Sequence, residues 1–350
     1  MKTYLVTGGA GFIGSNFIIY MLKNFKDIKI INLDSLTYAG NLNNLKEVES
    51  DENYHFIHGD IRDNFLVNKI FEDFKVDYVV NFAAESHVDR SIEDPETFVK
   101  TNVLGTLNLL NCAKKAWYVD GKWKEGKRFH QVGTDEVYGS LGETGYFTEN
   151  TSLDPHSPYS ASKASSDLMV KAYFDTFQMP ITITRCSNNY GPFQFPEKLI
   201  PLLINNAINH KALPIYGDGL NIRDWLYVED HCKAIDMVIN NGTIGEVYNV
   251  GGHNERKNIE IVKEVIEYLN REYDNTITEE LITYVEDRKG HDRRYGIDPS
   301  KIKAELGWYP ETSFEKGIIK TIKWYLKNKQ WMEEITSGEY ENYYNKMYNK

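Results

Sequence analysis

The stretch Val6-Thr7-Gly8-Gly9-Ala10-Gly11-Phe12-Ile13-Gly14 decides the fold. It follows the apolar segment Thr3–Val6, which reads as a strand, and opens Gly14–Asn24, which reads as an amphipathic helix. Its glycines meet three separate needs. Gly8 permits a tight turn, Gly11 lets the backbone approach a pyrophosphate, and Gly14 allows close packing of helix on sheet. The helix N-terminus then offers free N–H groups and a positive dipole end to phosphates. A glycine-rich run alone also suits an ordinary turn. The strand before it, the helix after it and an acid about 20 residues on point instead to a dinucleotide site.

That acid is Asp34, closing Ile30-Ile31-Asn32-Leu33-Asp34. A carboxylate there can accept both ribose hydroxyls and repels a 2′-phosphate, which favours NAD over NADP. Asp60, in His58-Gly59-Asp60-Ile61, ends the next strand; it either reaches the adenine side or caps a helix. The run Phe82-Ala83-Ala84-Glu85-Ser86 ends a fourth strand, where small residues let a flat ring lie close to the backbone.

Outward from this turn the first half keeps one rhythm. Strands are expected at Thr3–Val6, Ile28–Leu33, His55–Ile57, Tyr78–Phe82, Phe129–Val132 and Ile181–Thr184, with helices at Gly14–Asn24, Phe98–Ala116 and Tyr159–Phe177. Alternation at this spacing implies right-handed crossovers and an α/β fold, a Rossmann-type doubly wound parallel sheet. Trp117–Lys127 is polar and reads as an exposed loop. After about residue 190 short patterns mix with Pro- and Gly-containing loops. The expected division is residues 1–190 as the NAD-binding domain and 191–350 as a smaller C-terminal α/β substrate lobe, with the chain free to cross between them. The tail Glu339–Lys350 is a peripheral helix or a frayed end.

The bulk properties narrow the class. The chain has 350 residues, 41% hydrophobic and 26% charged, which fits a globular protein. No apolar run approaches the roughly 20 residues of a membrane helix, and Met1–Val6 enters a strand with no cleavable signal pattern. Cys112, Cys186 and Cys232 are few and far apart, which argues for a reducing cytoplasm and against a disulfide framework or a metal site. The 40 basic and 51 acidic residues leave a net charge of −11, which disfavours nucleic acid and anionic membranes. An anionic ligand therefore needs a local basic patch.

Two further segments carry chemistry. Gly133-Thr134-Asp135-Glu136-Val137-Tyr138-Gly139 sets a hydroxyl beside two carboxylates, and Tyr159-Ser160-Ala161-Ser162-Lys163 sets a phenol and an ammonium on one helix face. Ser157-Pro158 reads as an N-cap followed by a first-turn proline. A nearby ammonium is expected to lower the Tyr159 pKa from its usual value of about 10, so that the phenol takes a proton from a sugar hydroxyl as hydride leaves the carbon. Elimination needs an acid on one atom and a base on its neighbour, and two crowded carboxylates can split their pKa values to supply both. Adjacent residues of a strand point to opposite faces, so either the backbone leaves strand geometry at Asp135 or only one carboxylate faces the site.

With these residues in view, the chain resembles the extended short-chain dehydrogenase/reductase family, and within it the branch that dehydrates dTDP-glucose. The motifs are Thr7–Gly14, Leu33–Asn41, Ala83–Ser91, Thr134–Gly139, Tyr159–Lys163, Arg185-Cys186-Ser187-Asn188-Asn189-Tyr190-Gly191-Pro192 and Gly290-His291-Asp292-Arg293-Arg294-Tyr295. The Thr-Asp-Glu triplet and the last run are specific within the family; the glycine turn and the Tyr/Lys pair are shared across it. Lys289 departs from the proline such a branch prefers.

The resemblance implies tightly bound NAD and a hydro-lyase cycle: oxidation at C4, loss of water across C5–C6 and hydride return to C6. The product would feed deoxysugar supply such as dTDP-rhamnose. Tyr159 would take the 4-hydroxyl proton with Thr134 on the same oxygen, Glu136 the C5 proton, and Asp135 would protonate the departing C6 hydroxyl. Lys163 would bind the nicotinamide ribose. The cofactor would also meet Phe12, Ile13, Ser35, Leu36, Thr37, Ile61, Phe82, Ala83, Ala84, Ser86, Thr101 and Asn189. The nucleotide sugar would meet Ser86, Asn188, Lys198, Leu199, Pro214, Ile215, Tyr216, Arg223, Asn258, His291, Asp292, Arg293, Arg294 and Tyr295.

Arg223, Arg293 and Arg294 also suit a diphosphate by chemistry, since guanidinium binds phosphate oxygens bidentately; each could equally be a surface ion pair. His87 and His231 read as structural. A homodimer through Phe98–Ala116 and Tyr159–Phe177 is implied in the same way. A 4-epimerase or decarboxylase on the same scaffold would need no Asp135–Glu136 pair, and a silent NAD-binding regulator would not need Tyr159 and Lys163.

Overall fold

The computed structural model describes residues 1–287 and 289–337, so the tail Glu339–Lys350 lies outside the described residues. The first half runs β1 (Lys2–Thr7), α1 (Phe12–Asn24), β2 (Ile28–Asp34), β3 (Tyr54–His58), α2 (Asn64–Phe74), β4 (Tyr78–Asn81), α3 (Val88–Glu93), α4 (Pro95–Phe98) and α5 (Thr106–Trp117). It continues through β5 (Tyr118–Val119), β6 (Lys122–Trp123), β7 (Arg128–Thr134), α6 (Pro158–Phe177) and β8 (Ile181–Cys186). The second half adds β9 (Asn188–Tyr190), α7 (Leu199–Ile208), β10 (Leu213–Tyr216), β11 (Ile222–Tyr227), α8 (Val228–Asn241) and β12 (Val247–Val250). It ends with β13 (Glu255–Lys257), α9 (Asn258–Glu272), β14 (Ile282–Val285), α10 (Ser300–Leu306), α11 (Phe314–Lys327) and α12 (Lys329–Thr336).

Seven strands form one sheet in the order β12–β8–β7–β4–β1–β2–β3, with every pairing parallel. This is the Rossmann-type doubly wound order, with one strand added beyond the usual set. The order reverses between β1 and β4, so the crevice outside their C-terminal ends is the natural ligand site. Alternate side chains serve opposite faces. Tyr4 and Val6 pack with Phe17 and Ile18 of α1 and Ile235 of α8, while Leu5 packs with Leu109 and Leu110 of α5 and Val170 of α6. Both faces are covered, which is why β1 and β2 are nearly continuous in apolar residues. Each such side chain contributes about 1.5–3 kcal/mol on burial.

In the second half of the chain, β13–β11–β9 form one small sheet and β10–β14 another. The core there gathers Tyr190, Ile200, Leu203, Trp225, Val262, Phe314 and Ile318. Among the strands of the large sheet, β12 was not expected from the sequence. It belongs to the second half of the chain and pairs with β8, so the polypeptide crosses back into the first lobe after residue 190.

Two expected elements take a different form. The helix expected over Phe98–Ala116 begins as α4, passes through a π-helical segment at Val99–Gly105 and resumes as α5. Apolar spacing continues across the wider turn, so the pattern does not reveal it. The loop expected at Trp117–Lys127 contains the small hairpin β5–β6, anchored where Trp123 Nε1 donates to the Phe177 carbonyl at 2.8 Å. The start of α6 follows expectation: Ser157 is the N-cap, Ser160 returns the hydrogen bond and Pro158 occupies the first turn. Among the described residues, no helix is long and apolar enough to cross a membrane.

Candidate active site

The glycine turn is shaped by what each missing side chain would strike. Gly8 has φ +68°, and a Cβ there would lie 2.7 Å from the Ala83 nitrogen. At Gly14 it would lie 2.4 Å from the Gly8 carbonyl oxygen, whereas at Gly11 the nearest atom is 3.3 Å away. Gly8 and Gly14 are therefore fixed by packing, and Gly11 leaves open the room that a phosphate needs. A cleft of about 430 Å³ runs from this turn across the ends of β1, β4 and β7. Every residue expected to hold a cofactor lines it except Leu36. Leu36 takes a left-handed φ of +50° and donates its N–H to Asp34 Oδ1 at 2.8 Å, so it shapes the turn rather than the wall.

Asp34 Oδ2 accepts from the Ala10 N–H at 2.8 Å, which fixes the carboxylate at the end of β2; burial raises its pKa. Each of its oxygens keeps a lone pair for a ribose hydroxyl. Asp60 lines the cleft and grips Arg62 at 2.6 Å. Burial would raise its pKa, but hydrogen bonds and charge from Arg62 lower it. It is not the cap of α2; Asp63 is, accepting from the Leu66 N–H. Thr101 reaches the cleft from the π-helical segment, whose Asn102 ties the Glu85 backbone to Ser162 of α6 at 2.8 Å.

The two carboxylates are brought together. At Thr134 the backbone leaves β7 for a 3₁₀ turn over Asp135–Tyr138, capped by Thr134 Oγ1, which accepts from the Glu136 N–H at 3.3 Å. In a 3₁₀ turn successive side chains step by about a third of a circle instead of alternating, and Asp135 and Glu136 both line the cleft. Two groups that the sequence did not single out hold this turn. Tyr138 donates its hydroxyl proton to Asn249 Oδ1 of β12 at 2.8 Å, and Arg185 Nη1 donates to the Tyr138 hydroxyl at 3.0 Å.

Electrostatics separate the roles. Asp135 is 1% exposed, and its Oδ2 has no hydrogen-bond partner. Burial, then the charges of Glu136 and Asp224, raise its pKa well above the usual carboxylate value, which favours its neutral form. Tyr159 sits on α6 with burial and the Glu136 charge raising its pKa. This reverses the expectation that Lys163 depresses it. Lys163 donates to the Val132 carbonyl at 2.8 Å, and its own pKa is lowered by burial.

A second cavity of about 170 Å³ adjoins the cleft, and Ser86, Glu136, Asn188, Asn189 and Lys198 line both. Every residue expected to meet the substrate lines this second cavity, except Thr134, which lines the first, and Arg293 and Arg294, which line neither. Arg293 is turned to Asp218, at 2.8 and 3.0 Å, on the surface. Arg294 is held by Glu255 at 2.7 and 3.1 Å and by the Gly142 and Gly145 carbonyls. The buried guanidinium at the cavity is Arg223, joined by Lys198 and His291.

Of the two histidines read as structural, His231 takes such a place, while His87 also lines the second cavity. His87 caps α3, and His231 is buried with Nδ1 3.0 Å from Asn189 Oδ1, its pKa pushed down to about 3. Glu197, also missed, borders both cavities. Tyr38 donates to its Oε1 at 3.2 Å, and Arg90 lies over the Tyr38 ring with Nε 3.5 Å from its Oε2. This links the loop after β2 to the segment before α7 across the cleft.

Comparison with known proteins agrees with this geometry. Residues 5–321 match the family model described as GDP-mannose 4,6 dehydratase. A dTDP-glucose 4,6-dehydratase from Xanthomonas campestris pv. campestris is 52% identical over 344 residues, covering 97% of each chain. A solved dTDP-glucose 4,6-dehydratase from Bacillus anthracis, in complex with NAD, shares 50% identity with a TM-score of 0.86, over 96% of this chain and 100% of that one. DesIV from Streptomyces venezuelae, a dTDP-glucose 4,6-dehydratase solved with NAD and TYD bound, shares 46% identity with a TM-score of 0.89, over 95% and 99%. Identity of this order across nearly the whole length, on the same fold, means that the chain belongs to the dTDP-glucose 4,6-dehydratase family.

Proposed function

We propose that this chain converts dTDP-glucose to dTDP-4-dehydro-6-deoxy-glucose, with NAD in the larger cleft and the sugar nucleotide in the adjoining cavity. The observation that carries this reading is the pair Asp135 and Glu136 lining one cleft with Tyr159, with burial raising the Asp135 pKa. The cleft suits NAD: Gly11 leaves room at the N-terminus of α1, and Asp34 offers a fixed carboxylate at the end of β2. When bound, NAD supplies hydride acceptance at sugar C4 and hydride return at C6.

The residues divide the proton work. Tyr159 takes the proton of the 4-hydroxyl as its phenolate, a form that the positive charge of bound NAD would favour against the effect of burial, and Thr134 holds the same oxygen. The resulting ketone acidifies C5, where Glu136 removes the proton and later returns one. Asp135 gives its proton to the C6 hydroxyl, which leaves as water. The proton gained at Tyr159 balances the one lost at Asp135, so exchange between them restores both groups. Arg223 and Lys198 supply positive charge for the diphosphate in an otherwise acidic protein. Purified protein incubated with dTDP-glucose is expected to give a 4-keto-6-deoxy product, read by its ultraviolet absorbance in alkali. Conversion of a different nucleotide sugar, with none of dTDP-glucose, would favour a 4-epimerase or decarboxylase instead.

A homodimer through α6 and the helical run from Val99 to Trp117 is part of this proposal. Val99, Leu104 and Leu168 are about half exposed on those elements, which supports an apolar contact. Replacing Leu104 and Leu168 together by aspartate is expected to halve the sedimenting mass; an unchanged mass counts against this face. The buried free thiols Cys112, Cys186 and Cys232 support a reducing, cytoplasmic setting.

A further inference from the structure

We propose that His156 is a positioning residue for the substrate diphosphate: its imidazolium pairs with Asp292, neutralises the loop that lines the substrate cavity and ties that loop to the start of α6. The inference deepens the dehydratase reading above and rests on it. His156 immediately precedes Ser157, the N-cap of the helix that carries Tyr159 and Lys163. Its Nδ1 lies 2.5 Å from Asp292 Oδ1. The other carboxylate oxygen of Asp292 accepts from the Tyr295 hydroxyl at 2.6 Å. The Asp292 main-chain carbonyl accepts from Arg223 Nη2 at 2.9 Å and from Asn221 Nδ2 at 3.1 Å. The Arg223 guanidinium in turn lies over the Tyr295 ring, 4.1 Å from its centre. Asp292 thus connects the cavity's buried guanidinium to a histidine outside the cavity wall.

Charge gives this connection its function. Asp292 is 8% exposed and lines the cavity beside Arg223. An uncompensated carboxylate there repels a diphosphate carrying two negative charges, and part of the Arg223 field is then spent on it. An imidazolium at His156 removes that penalty; a neutral imidazole does not. The charged and titratable groups around His156 are Asp154 on its own segment, with Oδ2 3.5 Å from Nε2, Asp292 and Tyr295 on the loop, and Arg223 of β11 behind the Tyr295 ring. The hydrogen bond to Asp292, opposed by partial burial and helped by both carboxylate charges, holds the His156 pKa above its usual value. A raised histidine pKa means that the charged pair is complete at low pH and is lost as pH rises through that value. Substrate affinity should fall over the same range.

The test measures binding of dTDP-xylose to the NAD-loaded protein. This analogue lacks carbon 6, so it cannot eliminate water, and its diphosphate diester does not titrate between about pH 6 and pH 9. For the native chain the Kd is expected to rise about tenfold across that range. His156→Gln should bind about tenfold more weakly at the acidic end and lose the pH dependence, whereas His156→Lys should stay tight throughout. The side chain of His156 is 41% exposed, so these variants should fold; equal melting temperatures and NAD contents check that they do. A His156→Gln protein with native affinity at low pH, or a native chain whose affinity does not change with pH, would overturn the proposal. Failure of the native chain to dehydrate dTDP-glucose would sink the activity reading instead, and the binding series would still decide the role of His156.

Discussion

Replacing Glu136 with glutamine is expected to lower formation of the 4-keto-6-deoxy product by about a thousandfold, within the 10²–10⁴ range of general-base catalysis. Glutamine keeps the shape of the side chain and cannot accept the C5 proton. A second loss compounds the first. The Glu136 charge is one of the causes that raise the Asp135 pKa, so removing it makes the neutral acid easier to ionise. Oxidation at C4 does not use Glu136, so reduced nicotinamide should accumulate on the variant after mixing with dTDP-glucose. Near-ultraviolet absorbance in a stopped-flow experiment reads that accumulation. Incorporation of solvent deuterium at C5 reads the blocked step, and incorporation at the native rate would remove Glu136 as the base.

The Tyr159→Phe substitution is expected to act one step earlier and as strongly, lowering kcat by about 10²–10⁴. The ring packs edge-on against Phe98 with centroids 6.3 Å apart, and phenylalanine preserves that contact. The fold and NAD content should therefore survive while the proton acceptor for the 4-hydroxyl is lost. No reduced nicotinamide should form on mixing with dTDP-glucose, in contrast to Glu136→Gln. The two variants are thus told apart by one absorbance trace. Reduction of the cofactor at the native rate in Tyr159→Phe would contradict the assigned role.

The fold was legible where one rule governed a segment. Strands β1, β2, β3, β4, β7 and β8 each contain apolar, β-branched or aromatic residues between turn signals, and the Ser157-Pro158 start of α6 follows from capping chemistry. Strand β12 escaped because Val247-Tyr248-Asn249-Val250 is short and its Asn249 interrupts the apolar run; the asparagine is there to hold Tyr138. The Asp135–Glu136 pair was visible as chemistry, but its convergence on one cleft depended on a 3₁₀ turn that propensity does not encode. Arg293 and Arg294 show the opposite limit. Their residue type suits a diphosphate, yet Asp218 and Glu255, distant in sequence, fold against them first. The Tyr159 pKa went the other way because burial and the Glu136 charge dominate it. Pair spacing says nothing about desolvation.

The return of the chain through β12 sets a timetable for synthesis. Strand β8 closes at Cys186, but its outer edge stays unpaired until Val247–Val250 emerge, about sixty residues later. At about 5–20 residues per second this leaves a nascent parallel edge open for roughly 3–12 s. During that interval Asn249 has not reached Tyr138, so the acidic turn lacks that hydrogen bond. The glycine turn and Asp34 have long since left the ribosome. The order of emergence therefore puts the glycine turn and Asp34 first and the hydrogen-bonded acidic turn last.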